Sequence, residues 1–378
     1  MKLSVGVDIG STEVRVAVVR GIDTDGFAAV ARSGVVPLRE GAVVHGQVRN
    51  HLVTSQAIVR ALEMAGVKRY GFVLGYSGAD IAVARRTLPA AVKPNERVKA
   101  LRTVDQQISP TLSLQDAVLS TNEVSIDYTG DRRAVTTLTI AAIPKAQIES
   151  MRKLMVLAGC EPRAIDLSAA GTMRALVRVP PDSTEVHTIV DIGETTVTVA
   201  TRQGPHLRSV RVMPVGGLTI TRAIMAETGD DAAQAVERRQ MLQLTPESDN
   251  FPVALPGPYG SLYAGPTNQN PNISSFDEAV NRAANEIIDA IAVAIENDAS
   301  NFHNTLTQGV VLTGRTAQIS GLRNLVNQRL GVPVQLGRPW ARLEKTRFNL
   351  PYILPAQTTP HLMNLTTAIG LALWRDPS

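Results

Sequence analysis

Two short runs in this sequence carry the residue types needed to hold a polyphosphate and its metal ion. Residues 7–19 read VDIGSTEVRVAVV and residues 190–202 read VDIGETTVTVATR. Displaced by 183 positions, they share eight of thirteen residues, among them Asp8/Asp191, Gly10/Gly193 and Thr12/Thr195. A glycine at each tip lets the backbone approach an anion and point N–H groups at it. Ser11, Thr12, Thr195 and Thr196 add hydroxyl donors. Asp8 and Asp191 repel bare phosphate, so they suit a hydrated cation: Mg²⁺ keeps several waters and bridges carboxylates to phosphates. One Asp and one Gly-hydroxyl tip from each run would form a clamp around a triphosphate and its Mg²⁺. Gly216 and Gly217, between a strand and a helix start, offer a third phosphate contact.

Both runs demand the same local structure: a buried strand ending in Asp, a tight turn, and a departing strand that alternates apolar with polar residues. Their offset is about half the chain, which implies two duplicated lobes rather than a short solenoid repeat. In the first half the pattern predicts a strand over 27–36, a helix over 55–65 stopped by Gly66, and strands over 71–76 and 81–88. Residues 89–164 read as an inserted small module. It holds a helix opened by Pro94-Asn95 and reaching Ile108, strands over 122–128 and 134–142, and a helix over 145–158. Residues 165–182 return to the first lobe. The second lobe, 183–362, opens with strands over 186–191, 195–202 and 207–213 and a helix to Glu227, within a helical part spanning 218–305. A Pro-, Gly-, Asn- and Ser-rich loop occupies 244–273. A capping box at Ser275-Phe276-Asp277-Glu278 starts a long helix whose Val280, Ala284, Ile287, Ile288, Ile291 and Ile295 form an apolar stripe. A buried strand then runs into Gly314-Arg315-Thr316, followed by a helix with Ser320 as N-cap and Gly331 past its end. Residues 363–378 carry a last helix, about 365–374, returning to the first lobe, where Gly370 allows close backbone approach.

Composition narrows the function. The 378 residues hold 38 basic and 34 acidic side chains, a net +4, with no basic arm of the kind that binds nucleic acid. The single cysteine, Cys160, rules out an internal disulfide framework and suits a reducing compartment. The start, Leu3-Ser4-Val5-Gly6-Val7, reads as a strand rather than a leader peptide. No stretch approaches the ~20 apolar residues that span a bilayer, so a membrane role is expected to run through a partner. The six histidines lack metal-ligand spacing, and no Ser-His-Asp arrangement is evident.

With these motifs in order, the chain resembles the actin, chaperone-ATPase and sugar-kinase superfamily, an α/β actin-like fold of two ribonuclease H-like halves. Within it the chain is similar to the PilM family of type IV pilus assembly, and more distantly to FtsA of cell division. VGVDIGSTEVRVAVV, RRTLP, MPVGGLTITRAI, VLTGRTAQISGLRNLVNQRLGVPV and TTAIGLALW carry the resemblance. It implies an inserted module of βαββα type, ATP or ADP between the lobes, and a cytoplasmic location at the inner face of the cell membrane. It implies also a partner: the N-terminal cytoplasmic peptide of a PilN-like membrane protein, held between the first lobe and the inserted module. FtsA-like filament formation and a small-molecule kinase are the alternatives.

Carried over by motif, Asp8 and Asp191 would hold Mg²⁺ through water, and Gly10, Ser11, Thr12, Arg15, Gly193, Thr195, Gly216 and Gly217 would face phosphates. Arg15 stands where the family commonly has Lys, keeping the charge on a bulkier fork. Glu194 is the carboxylate placed to orient an attacking water. Gly314, Arg315 and Thr316 would form the adenosine loop, where the family usually runs Gly-Gly-Ser. There Arg315 either obstructs the adenine or stacks on it.

Overall fold

The computed structural model describes residues 3–22, 27–104, 107–109, 111–130, 133–180, 182–244, 274–343 and 361–375. The expected 244–273 loop lies, apart from Leu244, outside them. Two sheets of matching construction dominate. In the first, Ser4–Ile9, Glu13–Ile22 and Ala28–Pro37 form an antiparallel meander, and Val73–Tyr76 and Ala164–Leu167 add on parallel beyond Ser4–Ile9. In the second, Val186–Ile192, Val197–Gln203 and His206–Met213 form the meander, and Val310–Thr313 and Val334–Leu336 add on parallel beyond Val186–Ile192. The sequence repeat is therefore a repeat of topology as well. The first sheet alone gains a sixth strand, Ala341–Leu343, parallel to Ala28–Pro37.

Alternation explains the meanders. Val14, Val16 and Val18 of one strand bury toward the helices His51–Met64 and Lys145–Ala158, as period-two side chains must when one face is covered. The second sheet buries Val190, Ile192, Val197 and Val199 against the long helix Ser275–Asn301 and the helices Gly217–Thr228 and Leu322–Leu330. The apolar stripe foreseen in Ser275–Asn301, including Val280, Ile287, Ile291 and Ile295, is fully in this core.

Between Tyr76 and Ala164 the chain leaves the first sheet. A three-stranded antiparallel sheet forms from Ala82–Pro89, Ala134–Pro144 and Ala117–Tyr128, the last at an outer edge. It has a core of its own around Leu101, Leu114, Leu138 and Ile140. It also touches the second sheet: Thr139 donates to the Leu207 carbonyl at 2.9 Å, and Arg85 to Gln203 at 2.8 Å.

The last described helix, Thr366–Ala372, crosses Ser168–Leu176 at a point where two backbones nearly touch. A Cβ on Gly370 would lie 1.7 Å from the Gly171 carbonyl oxygen. On its other side the same helix lies on the first strand, where a Cβ on Gly6 would come 2.1 Å from the Ala368 carbonyl oxygen. The close approach expected of Gly370 is met.

Several boundaries differ from expectation for local reasons. The helix placed at 55–65 starts at His51, because Asn50 caps it by accepting from the Val53 amide at 3.1 Å. The helix expected to reach Ile108 ends at Val104, and Gln107–Ser109 instead pairs as a short strand with Leu112–Ser113. The cap of the long helix is Ser274, one residue earlier than the box suggested, with its hydroxyl accepting from the Asp277 amide. Ser320 is no cap. Gly321 holds that position at φ 89°, pressed so close to the Leu244 carbonyl that no side chain fits. The helix Ala232–Gln240 adds to the expected elements, and its Asp231–Gln234 capping box is visible in the sequence.

Candidate functional site: a cleft between two duplicated hairpins

The two hairpin turns close in the same way. The Gly10 amide donates to the Glu13 carbonyl at 3.0 Å and the Gly193 amide to the Thr196 carbonyl at 2.9 Å. Those two amides are thus used within the turns, and what glycine supplies is room. A Cβ on Gly10 would meet the Arg15 guanidinium at 3.1 Å, and one on Gly193 the Thr196 carbonyl at 3.1 Å. The turns face each other across a cleft lined by Asp8, Gly10, Ser11, Thr12 and Arg15 from one side. Asp191, Gly193, Glu194, Thr195, Gly314 and Arg315 line the other. The structure brings these sequence-nominated residues together from positions up to three hundred apart.

Gly216, Gly217 and Thr316 do not reach the cleft wall. They prop the second turn from behind: the Gly217 and Leu218 amides donate to the Gly193 and Glu194 carbonyls at 2.9 and 2.8 Å, and the Thr316 hydroxyl to the Gly193 carbonyl at 3.0 Å. Glycine at 217 is a packing requirement, since a Cβ would sit 2.3 Å from the Thr316 hydroxyl and 2.6 Å from Arg239. Glu194 is engaged as well. Buried Arg239 grips its carboxylate with two parallel bonds of 2.8 Å while also donating to Thr221 at 2.7 Å. Arg239 lies on the helix Ala232–Gln240, 45 positions from Glu194, and no local pattern marks the pair.

The first hairpin holds an ion network. Arg15 pairs with Asp8 at 2.9 Å and Glu13 at 2.8 Å, and donates to Asn364 at 3.2 Å. From the opposite side of the cleft, Arg315 reaches Glu13 at 2.8 Å. Burial would raise the Glu13 carboxyl, but Arg15 and Arg315 outweigh it and hold it below the usual range. Arg15 is itself pushed up: burial opposes its charge, and Asp8 and Glu13 more than restore it. Asp191 has no such partner. Burial, and then the charge of Asp8, drive its carboxyl up to about 6 against the pull of Arg15. A second cross-cleft contact joins His45 Nδ1 to the Thr195 carbonyl at 3.1 Å, with His45 in the left-handed region at φ 49°. Glu13, Asn364 and His45 were not nominated from sequence. Glu13 was legible only as an acidic residue inside an otherwise apolar alternation.

The donor set suits a nucleotide's phosphates and a hydrated cation. Two acidic residues face each other from opposing turns, and the hydroxyls of Thr195 and Thr313, buried on the cleft wall, have no hydrogen-bond partner among the described residues. A buried hydroxyl without a partner costs free energy that a phosphate oxygen or a water would restore. The cleft is nonetheless drawn tight. Its cavity of about 90 Å³ holds a few waters at roughly 30 Å³ each, while small-molecule sites run from about 300 Å³ upward. A nucleotide would need the cleft to widen, and the contacts that bridge it are Arg315–Glu13 and His45–Thr195. Among the described residues no group of three or more acidic, His or Cys side chains converges on a metal position. A cation held by Asp8 and Asp191 alone would keep most of its water.

A second depression, about 1240 Å³, lies between the first sheet and the edge strand Ala117–Tyr128. Val118, Leu119 and Ser120 all line it, and consecutive residues on one wall mean that the strand presents its edge there. Ile148, Leu207 and Trp374 complete an apolar floor, with Arg152 at its margin.

A family profile described as type IV pilus assembly protein PilM matches residues 6–256 of the 378. The chain belongs to the PilM family. A profile for cell division protein FtsA matches residues 188–353. FtsA of Pseudomonas aeruginosa is 26% identical over 370 residues, covering 90% of this chain and 84% of that protein. FtsA of Bacillus subtilis is 24% identical over 362 residues, with 89% and 79% covered. Among solved structures, a PilM–PilN type IV pilus biogenesis complex superposes with TM-score 0.74 at 20% identity, covering 98% of this chain and 97% of that one. MreB5 of Spiroplasma citri bound to AMPPNP superposes with TM-score 0.53 at 11% identity, covering 99% and 96%. The fold of this PilM-family chain is thus the actin-like one that its resemblance implied. No described helix is long and apolar enough to cross a membrane.

Proposed function

We propose that this chain is an actin-like scaffold of a type IV pilus assembly platform. It works at the cytoplasmic face of the inner membrane and holds the N-terminal cytoplasmic peptide of a PilN-like membrane protein. The observation that carries the reading is the groove beside Ala117–Tyr128: a free strand edge over an apolar floor suits an extended peptide that pairs by backbone bonds and sinks alternate side chains. The similar PilM–PilN complex supports the same partner.

In this reading the cleft between the hairpins takes ATP or ADP. Ser11, Thr12, Gly193 and Thr195 would surround the phosphates, and Asp8 and Asp191 would hold Mg²⁺ through water. The bound nucleotide supplies negative charge that both turns share. Arg15, now on Asp8 and Glu13, is the cation placed to turn toward it, and Arg315 must leave Glu13 to let the base in. Hydrolysis has little support: Glu194, the carboxylate nearest an attacking water's place, is occupied by Arg239.

Fluorescence anisotropy with a labelled PilN-type N-terminal peptide tests the groove. Binding that is lost in Ile148→Glu, in a variant with unchanged melting, supports it. Equal binding to wild type and variant would remove the groove from the proposal. Calorimetry with Mg-ATP, beside Asp8→Ala, tests the cleft separately.

A further inference from the structure

The helix pair His51–Met64 and Lys145–Ala158 covers one face of the first sheet, and the pair is apolar on both sides at its C-terminal end. The inward side holds Ala61, Leu62, Leu154 and Met155 in the core. Outward, Met64 is 63% exposed, Tyr70 59%, Val156 79% and Leu157 57%. These four belong to one locality. The loop after the first helix is tied to it by an Arg69–Glu63 ion pair of 2.8 Å. The same loop is tied to the end of the second helix, where the Glu161 amide donates to the Arg69 carbonyl at 2.8 Å and the Gly71 amide to the Glu161 carbonyl at 2.9 Å.

Basic side chains surround this patch. Arg60, Lys68, Arg69 and Lys153 are all exposed, and Lys68 stands 5.3 Å over the Tyr70 ring. The exposed carboxylates nearby are Glu63, matched by Arg69, Glu161, and Glu149 one turn before Lys153, fewer than the basic groups once Arg152 is counted. An exposed aliphatic cluster framed by Lys and Arg, with an aromatic ring at its margin, has the chemistry of a surface that rests on anionic lipid headgroups. A protein partner of acidic character would match the charge but would not call for bulky aliphatic side chains standing free of any pocket. The patch is also continuous with the proposed peptide groove, because the helix that carries Val156 and Leu157 lines that groove with Ile148 and Arg152.

We infer that the C-terminal ends of helices His51–Met64 and Lys145–Ala158 form a peripheral contact with an anionic membrane surface, made by the chain directly. The inference deepens the groove reading, since a peptide leading from a membrane protein would then lie beside a face that meets the same bilayer. It needs no partner for its test. Purified protein is co-sedimented with vesicles of phosphatidylcholine alone and of phosphatidylcholine with phosphatidylglycerol, at low and high salt. The expected result is a salt-sensitive preference for the anionic vesicles, reduced at least ten-fold in a Val156→Asp, Leu157→Asp double variant. Lys68→Glu with Lys153→Glu should reduce it as well, and this pair decides the matter if the aspartate variant melts early. Equal binding to both vesicle types, or anionic binding unchanged in the variants, overturns the inference. So does sedimentation velocity showing that the patch joins two copies of the chain while vesicles are ignored. Peptide anisotropy without vesicles, run on the same variants, is expected to be unchanged. Its failure in wild type would sink the groove reading and leave the membrane result standing.

Discussion

In the first hairpin Arg15 stands opposite Asp8 in the strand register; in the second, Thr198 stands opposite Asp191. The backbones, the glycines and the turn bonds are alike, and this one cross-strand difference divides the electrostatics of the cleft. Asp8 is paired, and with Glu13 it immobilises a buried arginine. Asp191 is half-buried with no ion-pair partner among the described residues, its carboxyl is pushed up to about 6, and the hydroxyls of Thr195 and Thr313 on the same wall have no hydrogen-bond partner among those residues. The charges of one hairpin are matched within the protein, while those of the other are not. Duplication thus preserved the frame and let the two copies diverge in chemistry.

Removing Glu13 should break the comparison most sharply. Glu13→Ala strips Arg15 and Arg315 of a shared, buried partner, and loss of one member of a buried pair costs about 3 kcal/mol. Thr196→Ala, its counterpart, should cost under ~0.5 kcal/mol, as expected away from such features. Urea unfolding of both proteins measures the contrast, and similar midpoints would show that the network contributes nothing special.

Asp191→Asn should act with the opposite sign. A carboxyl raised from 3.8 to about 6 makes the native state bind its proton more tightly, so this contribution to stability falls as pH rises from about 4 to 6 and is flat above. The amide removes that penalty, a gain of up to roughly 3 kcal/mol above pH 6 that vanishes below pH 4. Thermal melting of wild type and variant across pH 4–8 reads it. Asp8→Asn, which breaks the Arg15 pair, should lower the midpoint instead.

Arg315→Ala sharpens the comparison at the cleft itself. The Arg315–Glu13 bridge is half-exposed, worth under about 1 kcal/mol, so its loss should tighten Mg-ATP binding by about three- to five-fold in calorimetry. Weaker binding would mean that the guanidinium stacks on the base rather than obstructing it. The smallest effect concerns the glycines. Gly193→Ala meets the Thr196 carbonyl, and Gly10→Ala meets the equivalent Glu13 carbonyl as well as the Arg15 guanidinium, so each should cost about 1 kcal/mol in urea unfolding, Gly10 no less than Gly193.

Much of this was legible in the residues. The repeat around Asp8 and Asp191 announced two matching lobes because Asp, Gly and alternating valines impose the same hairpin wherever they occur. That Gly314 and Arg315 would join both hairpins was implied by the family resemblance and not by the repeat, and they line the same cleft. What stayed hidden depends on contacts distant in sequence. Nothing local marks Arg239 as the partner of Glu194, or Arg315 as the partner of Glu13. Gly216 and Gly217 read as phosphate contacts because a Gly-Gly pair before a helix has the same appearance whether it faces an anion or packs behind a turn. The helix misplaced toward Ile108 shows a plainer limit, where a β-branched residue beside a break found a strand partner instead.

The crossing of Thr366–Ala372 with Gly6 and Gly171 has a consequence for how the protein comes to be made. The first strand leaves the ribosome early, but the helix that seals its face, and the strand Ala341–Leu343 that extends its sheet, arrive more than three hundred residues later. During synthesis the early sheet must wait with an apolar face uncovered, a state prone to wrong associations. The second sheet, ending with Val334–Leu336, is made just before the strand and helix that complete the first. The first sheet is thus among the earliest parts of the fold to start and the last to be sealed.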